Sequence, residues 1–153
     1  MLSAIRGTAI GALVLIGIFG LVMVPLFLVM GPERIFVGAT LEFNNLWISV
    51  AVVVSLFAAT LAGWMAHRVS GTLGAVVALA VAVLLFGLAD ATIHHWLMPH
   101  LSLSREALSG FAMLLGLREP LWYDLSGPVM MAIFIWVAGS SRHTEVIDDK
   151  QRR

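Results

Sequence analysis

Apolar residues run through this chain in four long stretches, each bounded by charge. Gly7 to Pro32 lies between Arg6 and Glu33, and Phe43 to His67 between Glu42 and Arg68. Val69 to Ala89 lies between Arg68 and Asp90, and Leu125 to Ser141 between Asp124 and Arg142. A helix needs about 20 apolar residues to cross the roughly 30 Å hydrocarbon core of a bilayer. Inside lipid, each backbone N–H and C=O has to be paired within its own segment. The pattern predicts an all-α integral membrane protein with four transmembrane helices, at about 8–30, 43–65, 73–98 and 120–139. The alternating polarity of a membrane barrel is absent.

Punctuation sets the ends. Gly31-Pro32 stops the first helix, because proline cannot continue it. Ser70, Gly71 and Gly74 mark a tight turn. Pro99 closes the third helix, and Pro120 suits the first turn of the fourth. The first run is too long for the apolar core of a signal peptide, so it reads as an uncleaved span. Between the third and fourth helices, Ser104 suits a cap and Leu108, Phe111, Ala112 and Leu115 share one face. The expectation is a short interfacial helix near 104–116. Residues 1–141 then form a single four-helix domain, and the polar tail 142–153 is expected to be disordered.

Charge orients the bundle. With both termini cytoplasmic, Arg6, Arg68, Arg142, Lys150, Arg152 and Arg153 lie inside, against Arg34, Arg105 and Arg118 outside. Eight arginines to one lysine, with abundant alanine, valine and leucine, suggest a GC-rich bacterial genome and its cytoplasmic membrane. Nine basic and nine acidic residues cancel, which leaves no basic surface for nucleic acid. Cysteine is absent, excluding disulfides, iron–sulfur clusters and Cys-ligated zinc. The expected surroundings are the lipid bilayer and either other membrane proteins or further copies of the chain.

Candidate chemistry gathers at the outer end. Asp90 and His94 are four residues apart, hence neighbours on one helical face. His95 is turned about 100° further. His100 follows Pro99, and Asp124 opens the fourth helix. A carboxylate with imidazoles is a ligand type for a divalent metal, and also a proton relay. Asp90, His94, His95, His100 and Asp124 are therefore the candidate metal residues, with Glu42, Asn44 and Asn45 on the same polar rim. Pro128 frees the Asp124 carbonyl. The spacing D-x3-H is short and common, and HExxH is missing. Walker A, G-x-G-x-x-G and G-x-S-x-G motifs are missing too.

The five tryptophans and Tyr123 fall near helix ends, as in an interfacial aromatic belt. Ser55, Ala59 and Gly63 form a small-residue ladder, the kind that lets helices approach closely. Small size, tiny loops and the lack of a catalytic motif favour a non-enzymatic accessory or assembly partner of a membrane complex. One alternative is an outward-facing metal or proton-relay site, Asp90/His94/Asp124, in a small membrane enzyme or carrier. Another is an oligomeric pore or exchanger.

Overall fold

The computed structural model describes residues 1–38, 40–97 and 119–151. Its elements are α1 (Leu2–Met30), the short α2 (Pro32–Ile35), α3 (Asn45–Ser70), α4 (Leu73–Thr92), a π-helical turn (Ile93–Leu97) and α5 (Leu121–Gln151). No strand occurs among the described residues, only an isolated bridge between Phe36 and Phe43. Four helical stretches are long and apolar enough to cross a membrane: Leu2–Met30, Asn45–Ser70, Leu73–Trp96 and Leu121–Ser141. The shortest, 21 residues, is about 32 Å long at about 1.5 Å per residue. The expected interfacial helix at 104–116 lies outside the described residues.

Helix boundaries run past the charges that end the apolar runs. α1 begins at Leu2, ahead of Arg6. α3 continues through His67 and Arg68 and closes at Gly71, whose φ of 66° is left-handed. Arg68 extends over the face of Trp64, 4.8 Å from the ring centroid. The backbone of 142–151 continues α5 beyond the apolar run.

The helices alternate in direction. At one end Gly7 of α1 meets Ala66 and Ser70 of α3 and Ala75 of α4, while Gly139 of α5 meets Val76. Thr8 donates its hydroxyl to the Ala75 carbonyl at 3.1 Å. The opposite end holds the α1–α3 connection, the π-turn and the start of α5. α3 lies between α1 and α5, and α4 packs mainly on α5. Over its most apolar stretch α3 is 44% buried, whereas α1 is 6% buried, so α3 is the central helix.

Small residues make that centre possible. Between Ile48 and His67 the buried face of α3 is Ala51, Ser55, Ala58, Ala59, Ala62, Gly63 and Ala66. Each lacks the bulk that would hold a neighbouring backbone away. Ala59, Ala62 and Ala66 join Val76, Leu79 and Ile135 in one core cluster.

A second cluster closes the α1–α3 connection. Trp47 packs edge-on against Phe27, with centroids 5.8 Å apart, and Phe36 stacks on Phe43 at 5.4 Å. Trp47 is 4% exposed. It is therefore a core residue and not part of an aromatic belt, whereas Trp96, Trp122 and Trp136 are exposed.

Asn44 fixes the start of α3. Its side-chain oxygen accepts from the Trp47 amide at 2.8 Å, and its side-chain amide donates to the Arg34 carbonyl at 2.6 Å. Asn44→Ala should cost about 1 kcal/mol through loss of the cap. Thermal unfolding in mild detergent should show a lower midpoint, and an unchanged midpoint would refute the assignment.

Candidate functional site

The polar end of the bundle is built by three short pieces of chain. α4 delivers Asp90 at its last turn. The π-turn follows at once and carries His94 and His95. Glu119 and Pro120 lead into α5, which presents Tyr123 and Asp124 in its first turn.

His94 stays with its own helix. Its Nδ1 is 3.2 Å from the Asp90 carbonyl oxygen and 3.4 Å from the Asp90 carboxylate. The Asp90 side chain is 71% exposed, so this pair is largely in contact with solvent. His95 points the other way, toward α5. Its Nε2 lies 2.5 Å from Oδ2 of Asp124, and both side chains are mostly covered. Asp124 thus partners His95 and not His94. Asp90 and His94 lie together, while Asp124 pairs with His95. Among the described residues no group of three or more His, Asp or Glu side chains is placed to hold a metal ion.

Glu119 joins from outside the helices. Its carboxyl is pushed from an ordinary value of 4.5 up to about 8. Burial is the largest cause, followed by a hydrogen bond to Asp124 and the negative charges of Asp124 and Asp90. At neutral pH Glu119 holds its proton and donates it to Asp124. Asp124 therefore has hydrogen-bond partners on two sides, His95 and Glu119. The phenol of Tyr123 reaches Ser55 on the buried face of α3, tying α5 to the central helix.

These groups border a cavity of about 210 Å³ between the helices. Asp90, Glu119 and Asp124 line one part of it, with Ser55, Tyr123 and Ser126. Phe19, Val52, Leu56, Met130 and Met131 supply apolar wall. Gly87 and Pro128 also line it, and the Pro128 ring fills the space a side chain at Gly87 would need. No known family, characterised protein or solved structure matches this chain. The chemistry of the site therefore has to be read from its own atoms.

The remaining candidates are dispersed. Glu42 is exposed, and its backbone pairs with Val37 and Thr40. Asn44 is a helix cap. Asn45 is the first residue of α3, and its carbonyl accepts from Ser49 at 2.8 Å. None of the three lines the cavity. His100 lies outside the described residues. Glu119, Ser55 and Tyr123 escape a reading by motif. The available sign of Glu119 is its position before Pro120, within reach of the first turn of α5.

Proposed function

We propose that this chain is a four-span integral membrane protein whose working site is a proton relay, His95–Asp124–Glu119, at the outer end of the bundle. The observation that carries this reading is the hydrogen-bonded chain itself, in which Asp124 bridges an imidazole and a protonated carboxyl beside a cavity. Protons move readily along such a chain because each member can both give and take one. On this reading the protein is a carrier of protons. The orientation follows the charge count, with both termini cytoplasmic in a bacterial inner membrane.

Infrared spectroscopy of the protein in detergent tests the relay. A protonated carboxyl band should be present at pH 6, fade as the pH passes about 8, and be missing in Glu119→Gln. A spectrum without that band at pH 6 would end the proposal.

The accessory-partner reading rests on a different observation. Gly17 and Gly20 of α1 have open space where side chains would be. A foreign helix can approach closely at such a notch. On that reading, a second membrane protein co-purifies in mild detergent and is lost when Gly17 and Gly20 are both replaced by leucine. Isolation of the chain alone would count against it.

A further inference from the structure

α4 passes into the π-turn directly after Thr92. The last carbonyls of an α-helix lack donors in the next turn, and a change of helix type shifts which amide reaches which carbonyl. Side chains support this junction. The Thr92 hydroxyl donates to the Leu88 carbonyl at 2.7 Å. The Asp90 carbonyl accepts from the Ile93 amide, and Nδ1 of His94 lies 3.2 Å from the same oxygen. The Asp90 carboxylate is farther from that nitrogen, at 3.4 Å, and its side chain is mostly exposed. The carbonyl, held in the backbone of α4, is the better-fixed partner. A carbonyl can only accept, so this contact places the ring proton of His94 on Nδ1.

We propose that His94 is a positioning residue: its ring, donating from Nδ1 to the Asp90 carbonyl, holds the π-turn in the register that delivers His95 to Asp124. Successive residues of a helix point about 100° apart. His94 is tied back to α4, so the next side chain is turned off that face and toward α5. There Nε2 of His95 meets Oδ2 of Asp124 at 2.5 Å. His95 and Asp124 are also better covered than His94 and Asp90. The two histidines thus divide the work, one bracing backbone and the other joining the relay. Without the brace the turn can wind to α-helical pitch, which swings His95 off Asp124. The inference rests on the relay reading for the role of His95, and on geometry alone for the role of His94.

Nuclear magnetic resonance of the full chain in mild detergent, with 15N-labelled histidine at one fixed pH, tests it. The observable is exchange with water of the proton shared by His95 and Asp124. His94→Asn places an amide nitrogen where Nδ1 stands, whereas His94→Gln carries it one bond further. His94→Leu has no donor. Exchange should quicken about fivefold in the Leu and Gln variants, the scale of one net hydrogen bond. It should stay near the wild-type rate in His94→Asn. Helix propensity alone predicts the opposite order, with Asn the most disruptive of the three. Equal exchange in wild type and His94→Leu, or a change in His94→Asn as large as in His94→Leu, overturns the proposal. If the wild-type proton exchanges slowly and ignores His94, the brace alone falls. If the wild type shows no slow proton at His95, the relay loses that member and both readings fall.

Discussion

Replacing Gly63 with valine should unfold the bundle or come close to doing so. A Cβ at Gly63 would run into the backbone of Ile135, whose side chain is completely buried. Backbone cannot rotate aside as a side-chain tip can, so α3 and α5 would have to separate along their length. Overpacking of a tight interior typically costs about 1–3 kcal/mol. A clash with main chain at the central helix places this substitution at or above the upper end. Even alanine supplies the offending carbon, so Gly63→Ala should destabilise as well, in contrast to its usual effect in a helix. Gly74→Ala provides the control, because nothing lies near its Cβ position. There the ordinary gain of about 0.5–1 kcal/mol is expected. Thermal unfolding of the three variants in one detergent checks the order. Equal midpoints for Gly63→Ala and Gly74→Ala would show that α3 and α5 are not in contact there.

The second large effect is a loss of stability in alkali. In the unfolded chain Glu119 releases its proton near 4.5, whereas in the folded protein it does so near 8. Below the lower value both states are protonated, and the stabilising contribution is complete. Between the two, the folded state holds a proton that the unfolded state has lost. Stability must then fall with rising pH, by up to about 1.4 kcal/mol per pH unit. Above about 8 both states are ionised and the loss levels off. Glu119 is only half-buried, and solvent screening reduces the total to the order of a few kcal/mol. Glu119→Gln keeps a hydrogen-bond donor toward Asp124 and has no proton to lose. It should match the wild type near pH 5 and exceed it near pH 9. Parallel unfolding curves for the two proteins from pH 5 to 9 would refute the assigned proton.

The helices were legible in the chain because uninterrupted apolar runs leave little alternative. Gly31-Pro32 and Gly71 also marked real ends. The boundaries drifted at Arg6 and at His67-Arg68, since a charge ends an apolar run without ending a helix. The rotation of His95 away from Asp90 followed from helical geometry alone, but what stood on its other side did not. That partner is 29 residues away, on another helix, and no spacing rule reaches it. Glu119 was hidden for a related reason. Its proton is held by burial and by two carboxylates, which are properties of the assembled end. Trp47 shares its chain position with belt tryptophans, and only the fold separates it from them by packing Phe27 and Phe43 around it.

The π-turn at Ile93–Leu97 has the arithmetic of one residue inserted into an α-helix. Everything before it keeps the register that seats Gly87 on Pro128. Within it Ile93 to Leu97 are phased separately, and that phase aims His95 at Asp124. The seam between α4 and α5 and the polar end are thus two modules joined by a one-residue offset. Packing in the seam can drift without turning the imidazole, and the imidazole can be redirected without reopening the seam.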